Sequence, residues 1–161
     1  MKLSHSRFQI QTLSPRHNEI MANEEMKTKV TGGCMCGAIR YECDRSAIAL
    51  TTICYCRDCQ RASSSAFTSN LVVSATAFQI TKGELKFYER TADNGKKVRQ
   101  GFCNTCGAGV ANFSPEDQSF AVRVGSLDDP SWFKPMINFY LASAPPWAPV
   151  LKDIPYFQRQ E

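Results

Sequence analysis

A chain of 161 residues with 43% apolar content is long enough for one domain with its own core and too apolar for global disorder. Its net charge of +4, from 19 basic and 15 acidic residues that no stretch concentrates, is too mild to imply nucleic acid; it reads as a solvated surface with a slight preference for anionic small molecules. No apolar run approaches the roughly 20 residues that span a bilayer, and Met1–Ile20 scatters charges and histidines instead of building the apolar stretch of a signal peptide, so the cytoplasm is expected and a membrane is not.

Residues 1–29 are polar, lack periodicity and hold both histidines, His5 and His17. They are expected to form an arm or short helix outside the core, with the histidines as ordinary surface residues and Met21 and Met26 as alternative starts. The domain proper is expected over residues 30–161, and its signal is β. Ala38–Cys43 alternates, placing Ile39, Tyr41 and Cys43 on one face, so Cys43 is a core residue and not a ligand. Short strands are predicted over Phe67–Ser74, Phe78–Thr81 and Leu85–Arg90. Asp93-Asn94-Gly95 predicts a tight primed hairpin turn, from which Lys97–Phe102 returns into Cys103. Ala108–Phe113, Phe120–Gly125 and Met136–Leu141 continue the pattern, with Phe120, Val122 and Val124 facing one way. A helical period of useful length is absent. The class is all-β, an antiparallel sandwich or folded sheet with metal at its turns.

Seven of the eight cysteines form three clusters: Cys34-x-Cys36, Cys54-x-Cys56-x-x-Cys59 and Cys103-x-x-Cys106. In a small secreted protein such a count reads as disulfides; in a cytoplasmic chain clustered thiols more often bind zinc, and zinc is expected for this chain. Cys34 and Cys36 with Cys103 and Cys106 supply four thiolates, enough for a closed structural site whose binding energy becomes folding energy. Glycine follows both pairs and permits the turn. Cys54, Cys56 and Cys59 leave a metal one ligand short. Either a fourth ligand closes that site (Cys43, a carboxylate or an N-terminal histidine), or an exchangeable position remains. A three-thiolate zinc is formally anionic, a weak activator of water, and thiophilic enough to accept a substrate thiolate beside an aldehyde.

The run Thr31-Gly32-Gly33-Cys34-x-Cys36-Gly37-Ala38-Ile39-Arg40-Tyr41, the Cys54/Cys56/Cys59 cluster with Gln60–Phe67, the segment Phe102-Cys103-x-x-Cys106-Gly107 and Pro145-Pro146-Trp147 together resemble the glutathione-dependent formaldehyde-activating enzyme and centromere protein V family, over about residues 30–157. The resemblance implies a β-tent fold, a structural zinc on Cys34, Cys36, Cys103 and Cys106, and a second, substrate-accessible zinc on Cys54, Cys56 and Cys59. These last three are the implied catalytic residues. It further implies glutathione and formaldehyde as partners, joined as S-(hydroxymethyl)glutathione in a carbon–sulfur lyase step run backwards. Many bacterial relatives carry His where this chain has Tyr55, Gly at Ser64 and Lys at Ala144. Tyr55 replaces a histidine proton carrier only weakly, because a phenol titrates near 10.

Arg57 and Arg61 flank the open cluster, either as solvated arginines or as countercharges for an acidic thiol. Asp58 reads as a turn residue rather than a proton shuttle. Trp132 and Trp147 read as core or rim packing, and Ser63–Ser65 as a small-residue loop without a base to activate it. The expected function is an enzyme acting on thiol–aldehyde adducts. A non-catalytic zinc module that binds a macromolecule is the competing class, and a metal-free thiol redox protein a third.

Overall fold

The described residues, 29–159, form ten strands in the computed structural model. In chain order these are β1 (Lys29–Gly33), β2 (Arg40–Asp44), β3 (Ile48–Cys54), β4 (Thr68–Ser74), β5 (Phe78–Lys82), β6 (Lys86–Thr91), β7 (Lys97–Phe102), β8 (Gly109–Ser114), β9 (Ser119–Arg123) and β10 (Ile137–Phe139). One α-helix, α1 (Arg57–Ser63), separates β3 from β4. Of the expected arm only Lys29 lies within the described residues, where it opens β1; His5, His17, Met21 and Met26 lie outside them.

A three-stranded sheet in the order β1-β2-β5 lies against a seven-stranded sheet in the order β10-β3-β4-β9-β8-β7-β6. Strand alternation decides what each face of the larger sheet carries. Leu71, Val122 and Ala111 are register partners across β4, β9 and β8, all fully buried. They join Ile39, Tyr41, Cys43, Val73 and Phe78 in the main core, so Cys43 is the core residue its alternation implies. The opposite face carries Asn70 and Val72 of β4, Ala121 of β9 and Asn112 of β8, and it is this face that walls a cleft. Among the described residues no helix is long and apolar enough to cross a membrane.

Four local expectations change. Strand β3 had no predicted counterpart: Ile48–Cys54 (IALTTIC) lacks clean alternation, because Thr51, Thr52 and Ile53 are all buried in a strand covered on both faces. The helix was also unforeseen, since seven residues are too few to show a 3.6-residue period. Strand β10 is shorter than predicted and pairs with β3 in parallel, a departure from the antiparallel pattern of the other pairs. Finally, the hairpin turn is not the primed two-residue type. Gly95 N–H donates to Ala92 C=O at 2.9 Å, and only Gly95 in that turn has positive φ (+83°). This is a three-residue loop closed by a glycine bulge.

Candidate metal centres and the cleft beside them

Two turns converge at the first centre. Cys34–Gly37 leaves β1, and Cys103–Gly107 leaves β7, each closed by a backbone bond: Gly37 N–H to Cys34 C=O at 3.1 Å and Gly107 N–H to Cys103 C=O at 2.8 Å. The two glycines have φ near +73° and +72°, so the residue type that follows each cysteine pair is set by the turn. The Sγ atoms of Cys34, Cys36, Cys103 and Cys106 lie within 4.8 Å of one another. Cys34 Sγ is 3.6 Å from Cys36 Sγ, and Cys36 Sγ is 3.8 Å from Cys103 Sγ. These separations exclude disulfides, whose sulfurs sit about 2.05 Å apart. They match the roughly 3.8 Å edge of a tetrahedron with zinc–sulfur arms of about 2.3 Å. Burial alone would push the Cys34 thiol up, but donation from Ile39 N–H at 3.2 Å, with Cys36, Cys103 and Cys106 around it, brings it down to about 6. The donor set fits a closed zinc site.

The second centre forms where β3 turns into α1. Cys54 ends β3, and Tyr55 N–H is tied to Phe139 C=O at 2.9 Å. Cys56, in extended conformation, is the N-cap of α1; its Sγ accepts from Cys59 N–H at 3.3 Å. The three Sγ atoms lie within 4.8 Å of one another, and no fourth histidine, cysteine or carboxylate among the described residues joins them. Cys59 is held below the ordinary thiol range, first by donation from Cys54, then from Cys56, with Thr68 and the Arg123 charge adding. Its partner Cys54 is pushed well up. The two clusters can hold metal ions of different openness.

The open cluster stands at one end of a cleft of about 220 Å³ walled by the inner face of the large sheet and by β10. Thr52 and Asn70 form a buried polar floor, backed by Thr68: Asn70 Nδ2 donates to Thr68 Oγ1 at 3.2 Å and Thr52 Oγ1 at 3.4 Å, while Arg123 donates to Asn70 Oδ1 at 3.3 Å. Tyr140, buried at 6% exposure, packs with Cys56 and Cys59. Burial, then the Cys56 charge, pushes its phenol up to about 12. Arg90 of β6 pairs with Asp58 of α1 at 2.8 Å on the cleft wall. Neither Tyr140 nor Arg90 carries a motif that singles it out; the apolar alternation of Met136–Leu141 hides the first and an ordinary edge strand the second.

Other sequence expectations resolve in place. Tyr55 is fully buried and faces away from chemistry: its hydroxyl donates to Pro149 C=O at 2.8 Å and its ring packs on Phe67. Asp58 is neither in a turn nor free; it lies in the first turn of α1, held by Arg90. Arg57 donates to Gln60 Oε1, and Gln60 Nε2 in turn bonds Tyr55 C=O at 2.6 Å and Ser143 C=O at 2.9 Å. Ser63 bonds Cys59 C=O at 2.8 Å, a helix-terminal role. Ser64, where many relatives carry glycine, is the left-handed C-cap of α1 with φ +51°, so that departure concerns the backbone. Trp132 packs against the core under the Arg45 guanidinium. Trp147, three residues after Ala144, is 72% exposed and edges a shallow groove with Arg57, Arg61 and Pro145.

Comparison with known proteins agrees with this arrangement. The family described as glutathione-dependent formaldehyde-activating enzyme matches residues 29–143, most of the chain and both cysteine centres. A crystallised Rhodobacter sphaeroides protein is similar in fold, with a TM-score of 0.51 and 19% identity over 79% of this chain and 99% of its own.

Proposed function

Because the chain belongs to the glutathione-dependent formaldehyde-activating enzyme family, we propose that it is a zinc-dependent carbon–sulfur lyase-type enzyme of the cytoplasm that handles thiol–aldehyde adducts. Its reaction would resemble the joining of glutathione and formaldehyde as S-(hydroxymethyl)glutathione. The observation that carries this reading is the convergence of three sulfurs, without a fourth ligand among the described residues, at the end of a walled cleft. A buried structural knuckle has no need of such a cleft.

In this reading Cys34, Cys36, Cys103 and Cys106 hold a structural zinc that pins β1 to the strand leaving the hairpin. Cys54, Cys56 and Cys59 hold the second. Zinc there supplies a soft Lewis-acid position beside which a thiol is favoured as thiolate. The chain's own residues do the rest. Arg123, through its charge on Cys59, and the Asn70–Thr68 network offset the negative centre. The sheet face excludes water on one side and holds thiol and aldehyde together, which converts a bimolecular encounter into a local one.

The experiment is a zinc count per chain, followed by glutathione–formaldehyde exchange measured by NMR for wild type and Cys56→Ala. Two zincs with exchange that falls in the variant support the enzyme. Two zincs with exchange no faster than in buffer would leave the fold and favour the zinc-binding interaction module. One zinc, with titratable thiols at Cys54, Cys56 and Cys59, would favour the redox protein.

A further inference from the structure

Adding a thiol to an aldehyde generates an alkoxide, and few groups around the open cysteine cluster are free to meet it. Tyr55 has spent its hydroxyl on Pro149, Ser63 on Cys59 C=O, and Asp58 on Arg90. The Arg90 Nε is itself shut off from solvent and without a partner, so it faces no ligand. Arg57 is engaged by Gln60. Tyr140 differs from all of these. Its side chain lines the cleft, packs against Cys56 and Cys59, and lies within electrostatic reach of Cys54, Asp93 and Arg90. Among the described residues its hydroxyl has no hydrogen-bond partner.

Its backbone adds an independent observation. Tyr140 sits at φ +58°, ψ +43°, a left-handed conformation that a bulky residue adopts only with strain. No glycine or asparagine relieves it, and the surroundings hold it there: Ser143 N–H bonds its carbonyl at 3.0 Å, while the preceding Phe139 stacks on Phe157 at 5.5 Å. Strain of this kind concentrates where a side chain must be aimed. Here it turns the ring from the β10 wall toward the cysteines.

Resting on the lyase reading above, the geometry points to Tyr140 as a catalytic residue, the phenol that donates to the oxygen of the aldehyde or its adduct. The step balances with the groups present. The thiol loses its proton on binding. Its sulfur then forms the C–S bond to the carbonyl carbon, the π pair moves onto oxygen, and that oxygen takes the proton of Tyr140. The phenoxide regains a proton from solvent, equal to the one the thiol released. In reverse, the phenoxide removes the adduct's hydroxyl proton as the C–S bond breaks. This gives the site a phenol that stays protonated and is matched to an alkoxide, in place of the near-neutral proton carrier that a histidine at the Tyr55 position supplies in many relatives, and on a different element of the fold.

Two measurements test it. In zinc-loaded protein, Tyr140→Phe should lower kcat for glutathione–formaldehyde exchange by about a hundredfold, the lower end of general-acid contributions. KM should move less than about threefold, and zinc content should stay at the wild-type value. An unchanged kcat overturns the role. The second measurement is the calorimetric affinity of the wild-type protein and of Tyr140→Phe for S-(2-hydroxyethyl)glutathione, which carries a hydroxyl near sulfur, against S-ethylglutathione, which lacks it. The hydroxyl form should bind the wild type about three- to tenfold tighter, the worth of one neutral hydrogen bond, and the variant no tighter; a preference that persists in the variant overturns the role. Equal affinity, including no binding of either, overturns the role of Tyr140. Intact discrimination in a protein that does not accelerate exchange would overturn the lyase reaction and leave Tyr140 as the hydroxyl-binding group.

Discussion

Asp58 and Arg90 meet on the wall of the cleft, a carboxylate oxygen 2.8 Å from a guanidinium nitrogen, with only 14% of the arginine side chain exposed. Asp58 belongs to the helix that follows β3, near one end of the seven-stranded sheet, and Arg90 to β6 at the other end. The sheet therefore curls until its ends approach, and the pair ties the open cysteine cluster to the far edge. Curvature, not any one strand, makes the cleft.

Cutting this tie should be felt in stability. Asp58→Ala leaves Arg90, whose Nε is already without a partner, with a second unsatisfied group. We expect a loss of about 1–3 kcal/mol, read as a lower urea midpoint of the zinc-loaded protein. Adding Arg90→Met to that variant should recover part of it. An unchanged midpoint for Asp58→Ala would show that the sheet ends hold without the pair.

The two cysteine centres should fail differently. Cys103→Ser removes one of four converging thiolates from a fully buried position, so it should cost one zinc per chain and broaden or abolish the cooperative unfolding transition. Cys56→Ser keeps an N-cap acceptor for Cys59 N–H. It should therefore retain the transition and the first zinc while losing exchange activity. Equal loss of fold in both variants would contradict the division of labour.

Acid should strip the open centre first. In the closed cluster, Ile39 N–H and the neighbouring thiols hold Cys34 at about 6 against an ordinary 9.0, and Cys106 is lowered too, chiefly by donation from Ala108 N–H. A group whose folded value is depressed contributes stability that is complete above its unfolded value and is lost as pH falls through the folded one, here between about 9 and about 6. Each cluster also holds raised thiols, Cys36 at about 11 in the closed one and Cys54 and Cys56 (about 11) in the open one, so the order follows from ligand number: an ion held by three thiolates yields to protons before one held by four. A chelating dye should report one zinc released while the other stays bound to nearer pH 6. Simultaneous release would refute the order.

Tyr55 occupies the position of a histidine in many relatives, yet its hydroxyl points to Pro149. Tyr55→Phe should cost about 1 kcal/mol of stability through that lost hydrogen bond and leave exchange kinetics within error. A fall in kcat comparable to that of Tyr140→Phe would move the proton carrier back to the cysteine loop.

Ser64→Gly should stabilise the domain by about 1 kcal/mol, since Ser64 closes α1 at φ +51°. Activity should not change. A lower urea midpoint in the variant would mean that the serine side chain outweighs the backbone strain.

Much of this molecule was legible because its signals are local. Alternation exposed Ile39, Tyr41 and Cys43 as core, and turn geometry makes glycine after Cys36 and Cys106 a backbone requirement. The spacing of seven cysteines divided them into four and three, the division the folded sulfurs reproduce. What stayed hidden depends on contacts distant in the chain. Strand β3 lost its alternation because both faces are covered, and α1 was too short to show a period. The hairpin's glycine announced a turn but not its type, which only the backbone bonds of Ala92 and Gly95 reveal.

The sequence by itself determined which sulfurs share a turn, because neighbours two or three residues apart are forced together whatever the rest of the chain does; that the Cys34/Cys36 turn meets the Cys103/Cys106 turn, 67 residues on, was decided by the fold. Only the tertiary structure decided which phenol accompanies them. Tyr55 lies between two of the cysteines in sequence, yet strand direction sends its ring into the core. Tyr140 is the left-handed residue that directly follows the last strand, which is laid parallel to β3. Pairing register and sheet curvature set that placement, and both are sums of long-range contacts that no local pattern encodes.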